Sequence, residues 1–228
     1  MTQAKRILGI IAGLAVLFAA GAAAYDNDEP HAFKHAAPGS IDYYVLVLGW
    51  SPTYCLKKGD DRGDPQCNAD RSYDFVLHGL WPQYARGWPE DCYDGRRPWV
   101  PADVIGEMRD IMPSKSLIIH EYTTHGTCTG LSPEKFYDAA RNLYGQVTVP
   151  ASFDDPETQR FLSPETIEAA FIAANDWLKP DMIAVTCRRG KLFGVRLCFS
   201  TDLAPQACGA NINQKRLCPL KRIAVPAP

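Results

Sequence analysis

The sequence predicts one α+β domain, a central antiparallel β-sheet flanked by helices and stapled by disulfides. Three observations point there. Apolar runs rich in β-branched and aromatic residues stand near the start and again near the end of the chain. Stretches with helical spacing lie between them. All eight Cys follow an apolar N-terminal segment, and an even Cys count in an exported chain reads as a disulfide framework. With 46% hydrophobic and 22% charged residues, the 228-residue chain has a globular composition and not that of a disordered tail.

The first 24 residues read as a cleaved secretory signal. Lys5 and Arg6 precede an apolar run from Ile7, which decays into Gly21, Ala22, Ala23 and Ala24 before Asp26. A retained membrane anchor is the rival reading, since the run is near the minimum length for spanning a bilayer. Cleavage removes two bases and no acid, leaving 22 basic and 26 acidic side chains and moving the net charge from -2 to -4. Such a surface argues against non-specific coating of duplex nucleic acid, although it leaves room for a local phosphate site. Residues 25–40, with Pro30, Pro38 and Gly39, read as a flexible leader in which His31 and His35 are solvated. The domain then occupies residues 41–228.

Tyr43 to Trp50 (YYVLVLGW) is the signal of a buried strand. Residues 56–72 form a loop, and Tyr73 to Leu80 begins a second strand. Residues 83–100, with Gly87, Pro89, Gly95 and Pro98, read as an exposed loop. Pro101 to Met112 opens on a first-turn Pro and stops before Pro113. Ser132-Pro133-Glu134 opens a helix with Phe136, Ala139, Ala140 and Leu143 on one face. Ser163-Pro164-Glu165 opens another with Ile167, Ala170, Phe171 and Ala174. Asp181 to Cys187 and Lys191 to Ser200 make a hairpin around Arg189-Gly190.

Three of the five His fall in two segments, FVLHGLWPQ (residues 75–83) and HEYTTHGTC (residues 120–128). If the second is helical, Glu121 and His125 share a face, and His120 points about 100° away from Glu121. The metalloprotease H-E-x-x-H spacing is missed by one residue, and no C-x-x-C pair occurs, so a metal site is weakly supported. Two His and a carboxylate suit proton transfer instead, one His taking a proton from a nucleophile and the other returning one to a leaving group.

The two segments resemble the active-site segments of the T2 family of secreted ribonucleases, whose usual forms are HGLWP and HEWxKHGTC. IDYYVLVLGWSPTYC (residues 41–55) is similar to the family's first strand, and the likeness runs in order to Cys218. The resemblance implies a bacterial-type endoribonuclease, metal-independent and without a cofactor. It implies His125 as general base on the ribose 2′-OH and His78 as general acid on the leaving 5′-oxygen. Glu121 assists at the pentavalent intermediate, and His120 binds phosphate. Products are a 2′,3′-cyclic phosphate, then a 3′-phosphate. The partner is single-stranded RNA and not DNA, because the nucleophile is the substrate's 2′-OH.

Trp81 is expected to line the site, packing behind HGLWP or stacking a base, and Gln83 to reach a base edge. The family pattern also implies the bridges Cys55–Cys67, Cys92–Cys128, Cys187–Cys218 and Cys198–Cys208. A secreted or periplasmic monomer, without stable membrane association after signal cleavage, is expected.

Three departures stand out. Tyr122 replaces the segment's Trp, and Gly49 the usual Gln before the first-strand Trp. Thr124 replaces the Lys before the second His, which removes a cation beside developing negative charge. Thr124→Lys is therefore expected to raise turnover on RNA. Unchanged or lower turnover would show that another cation, such as a nearby Arg, already fills the role. The alternative reading is a weakly active member acting mainly as a binding protein. Arg188, Arg189, Lys191 and Arg196 form the densest basic cluster, read as a solvated hairpin face or as a track for RNA phosphates.

Overall fold

The computed structural model describes residues 30–58, 63–67 and 73–228. The secretory-signal reading of residues 1–24 lies outside them. In chain order the regular elements are β1 (Ala32–Lys34), β2 (Tyr43–Trp50), α1 (Ser51–Lys58), β3 (Phe75–Gln83), β4 (Trp88–Glu90), α2 (Ala102–Met108), α3 (Lys115–Thr124), α4 (Pro133–Gly145), β5 (Arg160–Leu162), α5 (Pro164–Ala174), β6 (Ile183–Arg188), β7 (Lys191–Ser200), α6 (Gln214–Leu217) and β8 (Ile223–Val225).

The continuous apolar run of β2 is explained by its central place. It pairs antiparallel with β3 on one side and β7 on the other. The sheet runs β3-β2-β7-β8-β5, with β6 also on β7, and its one parallel join is between Lys191 and Ala224. Alternation divides β2 between two faces. Tyr44, Leu46, Leu48 and Trp50 enter the main core with Phe136, Leu143, Ile167 and Phe171 of α4 and α5. Tyr43, Val45 and Val47 form a smaller cluster with Cys198, against which Trp81 packs. The α+β architecture expected from the sequence is the one observed.

Local rules place the helices. Ser132 and Ser163 cap α4 and α5, accepting from the backbone N–H of Lys135 and Thr166, with Pro at the first helical position. Pro101 caps α2 from outside, and the helix ends at Met108, earlier than the sequence pattern suggests.

The leader is more tied down than its composition implies. Residues 32–34 pair in parallel with β4, which itself lies in the stretch read as an exposed loop. His35 N–H donates to Glu90 O, and Gly39 N–H to Cys128 O. Phe33 packs edge-on against Tyr84. Gly87 permits this approach, since a Cβ there would stand 2.5 Å from His31 O. Three residues of pairing leave little hydropathy signal, so the segment reads as polar coil in sequence.

Four disulfides join Cys55–Cys67, Cys92–Cys128, Cys187–Cys218 and Cys198–Cys208. Cys92–Cys128 ties the segment after β4 to the turn after α3, beside the hydrogen bond from Asp91 N–H to Thr124 O. Replacing Cys92 and Cys128 together by Ser is expected to lower stability by about 2–4 kcal/mol in non-reducing denaturant titrations. A midpoint equal to wild type would show that packing alone holds this corner.

Candidate active site

Strict alternation along FVLHGLWPQ would put Leu77 and Leu80 on opposite faces of the sheet. Both are fully buried in the main core. A β-bulge reconciles them: Gly79 pairs with Val47 and Leu77 with Leu48, so His78 is the extra residue. The bulge therefore frees His78 from the core and turns it toward the same site as Trp81.

Helix α3 runs beside this edge strand. Ile118 and Tyr122 reach the core, while Glu121, 1% exposed, is aimed at β3. Trp81 Nε1 donates to Glu121 Oε2 at 2.8 Å. Glu121 Oε1 lies 3.5 Å from His78 Nε2. Gly79 makes room for the carboxyl, because a Cβ there would fall 2.0 Å from Oε2. His125 closes the C-terminus of α3, its N–H donating to Glu121 O. Its ring lies 5.2 Å from that of Trp81, and the His78 ring lies 5.8 Å from Trp81 on an edge-to-face approach. His120 is exposed, 6.5 Å from the His125 ring, with Thr124 Oγ1 3.4 Å from its Nδ1. The structure thus brings His78, Trp81, Glu121 and His125 into one group, with His120 at its rim.

Two cavities meet at Trp81. One of about 370 Å³ is lined by His78, His120, Gly49 and Tyr54. The other, about 430 Å³, is lined by His125, Gln83, Trp88 and Asn211. Trp81 and Arg196 line both.

Burial shapes the protonation of the group. It pushes the Glu121 carboxyl up to about 8, against the lowering effect of the Trp81 hydrogen bond. It pulls His78 down to about 4, assisted by the charges of His120 and Arg196, although the His78 side chain keeps 34% of its surface exposed. His125 is pulled down to about 3 by burial, then by His120 and His78. His78, Glu121 and His125 are therefore each held toward their neutral forms at neutral pH. Among the described residues, no cluster of three or more His, Cys, Asp or Glu side chains is arranged to hold a metal ion.

A model of the ribonuclease T2 family matches residues 41–208, which contain every residue of this group. The chain belongs to the ribonuclease T2 family. It is similar to a ribonuclease of Aeromonas hydrophila, 44% identical over 105 residues that make up 46% of each chain. The match therefore spans about half the length of that relative. Ribonuclease DdI of Dictyostelium discoideum is 26% identical over 75% of this chain and 78% of its own. The fold also matches a crystal structure of RNase NT in complex with 5′-AMP, with a TM-score of 0.63 at 23% identity, covering 82% of this chain and 99% of that one.

Two placements differ from what the sequence suggests. Gln83 lines the second cavity, but its amide is engaged, donating to Pro82 O and accepting from Asn211 Nδ2 at 3.1 Å. Asn211 also exchanges hydrogen bonds with Gly87 and donates to Tyr84 O, which makes it the tie for this loop. Arg196 leaves the basic cluster of its hairpin. Arg188, Arg189 and Lys191 line a separate cavity, whereas the Arg196 guanidinium lies 4.8 Å from the Trp81 ring centroid. Its place between Val195 and Leu197, on the strand face shared with Cys198, is the sequence signal that distinguishes it.

Gly79→Ala is expected to displace the Glu121 carboxyl and lower stability by about 1–3 kcal/mol. The indole N–H resonance of Trp81 should shift with loss of its hydrogen bond. An unmoved resonance would show that the carboxyl has room to spare.

Proposed function

We propose that the protein is a metal-independent endoribonuclease that cleaves single-stranded RNA. The observation that carries this is the grouping of His78 and His125 around Trp81, with Glu121 buried beside them. His125, neutral because burial lowers its pKa, takes the proton of the ribose 2′-OH. The 2′-oxygen attacks the adjacent phosphorus. The bond to the 5′-oxygen breaks, and that oxygen takes a proton from His78. This yields a 2′,3′-cyclic phosphate and a free 5′-OH. Water, activated in the reverse sense, opens the ring to a 3′-phosphate. Burial favours the protonated Glu121 carboxyl, which can then donate to a phosphoryl oxygen while Trp81 Nε1 fixes its other oxygen. His120, at the rim of the first cavity, contacts the same phosphate. DNA has no nucleophile for this step.

The four disulfides and the N-terminal signal pattern support action in an oxidising compartment, secreted or periplasmic. No helix among the described residues is long and apolar enough to cross a membrane. Thr124, uncharged beside His120, favours one alternative, a weakly active chain that mainly binds RNA.

RNA digestion in EDTA, with the product ends identified, tests this reading. Cyclic-phosphate ends are expected, and His78→Ala and His125→Ala should each lower cleavage by about 10²–10⁴-fold in a folded protein. Loss of cleavage in EDTA would favour a metal-dependent hydrolase, and binding without cleavage the alternative. The pH dependence follows from the same groups. His78 must be protonated to act as acid, and with its pKa lowered to about 4 the protonated fraction grows as pH falls from 7 to 5. His125, lowered to about 3, stays neutral over that range. The value of kcat/KM should therefore be at least about tenfold higher at pH 5 than at pH 7. An optimum above pH 7 would contradict these assignments.

A further inference from the structure

A phosphoryl group in transfer between two oxygens gathers negative charge, and a fixed cation beside it stabilises that charge without reorganisation. The group around Trp81 supplies none at neutral pH: burial keeps His78 and His125 neutral, and Thr124 is uncharged. Arg196 is the exception. Its backbone lies opposite Val47, which in turn lies opposite Gly79, so the three form one row across β7, β2 and β3. The guanidinium rests over Trp81 and lines both cavities at the point where they meet.

Among the described residues no carboxylate pairs with Arg196, and its Nε is buried without a hydrogen-bond partner. A largely buried cation left in that state is costly, and a bound anion would relieve it. Burial and then the charge of Arg216 hold its pKa at about 10, still protonated at neutral pH. Arg216 lines the second cavity behind it, its own guanidinium donating to the carbonyls of Ala210 and Asn211.

We propose that Arg196 is a catalytic residue that binds a non-bridging oxygen of the scissile phosphate, supplying the fixed positive charge absent at position 124. The proposal rests on the endoribonuclease reading above. It separates Arg196 from the other basic residues of its hairpin, which face another cavity and serve no such role.

The test uses a ribodinucleoside monophosphate, which carries only the scissile phosphate, in EDTA at low salt. Arg196→Gln should lower kcat about 100-fold, while KM rises by no more than about tenfold. Thr124→Lys should change wild-type turnover by less than about threefold but restore at least about tenfold in the Arg196→Gln background. A residue that merely packs on Trp81 would not be rescued by a lysine introduced at position 124. Near-wild-type kcat in Arg196→Gln, alongside inactive His78→Ala and His125→Ala, would overturn the proposal and leave the endoribonuclease reading standing. If the wild type cleaves nothing, that reading fails, and calorimetric binding of inorganic phosphate decides on Arg196. Binding weakened at least about tenfold by Arg196→Gln supports the site, and unchanged or undetectable binding overturns it. Should Arg196→Gln fold poorly, Arg196→Met serves. It removes the charge while keeping an apolar side chain over Trp81, so kcat should again fall about 100-fold, and near-wild-type kcat at full stability would overturn the proposal.

Discussion

The hydrogen bond from Trp81 Nε1 to Glu121 Oε2 is the constraint around which the site is built. It joins edge strand β3 to helix α3 at a point where neither could otherwise place a polar group without cost. The bond demands a residue without a side chain at position 79, and it fixes the indole plane on which His125 and Arg196 both rest. It also holds the second carboxyl oxygen toward His78. The bulge at His78 serves the same geometry, because without it His78 and Trp81 could not both leave the core while Leu77 and Leu80 enter it.

Around this contact the chain is closed by links that add to the apolar core shared by β3 and α3. The Cys92–Cys128 bridge and the Asp91–Thr124 hydrogen bond secure the end of α3, where His125 sits. Asn211 secures the loop after β3, and β1 lies against β4 beside it. The site thus stands on one strand and one helix, with short covalent and polar ties preventing their separation. The large core on one face of β2 joins α4 and α5 to Leu77 and Leu80 of β3 and to Ile118 and Tyr122 of α3, so it backs the same strand and helix that carry the site.

Much of this was legible in the sequence, and the rest was hidden for definite reasons. Continuous apolar runs and Ser-Pro-Glu helix starts signal β2, β7, α4 and α5 because their cause is local. The grouping of His78, Glu121 and His125 was suggested by two short motifs, whose resemblance to one family carries spatial information that spacing alone does not. The bulge was not legible, since register is set by the partner strand. The pairing of residues 32–34 with β4 was not legible either, being three residues long and dependent on Gly87. Arg196 was grouped with its hairpin neighbours because charge density ignores which face of a strand each residue occupies. Gln83 looked available for a base because a buried amide partner 128 positions away leaves no mark on its own segment.

The same burial that prepares the site also strains the fold at both ends of the pH scale. His78 and His125 have pKa values below the unfolded value, so the unfolded chain binds more protons as pH falls below about 6.5, and stability is lost in that direction. Glu121 has a raised pKa, so its contribution is full below about 4.5 and is lost as pH rises toward about 8. No pH therefore satisfies all three groups. The proposed proton transfer favours the acid side, where the histidines destabilise the fold. Disulfides act on the unfolded chain at any such pH and offset roughly 2–4 kcal/mol each. Four of them, one at the end of α3 itself, hold the fold across that range. An anion bound beside Arg196 would offset the positive charge that helps lower His78, opposing that part of its shift.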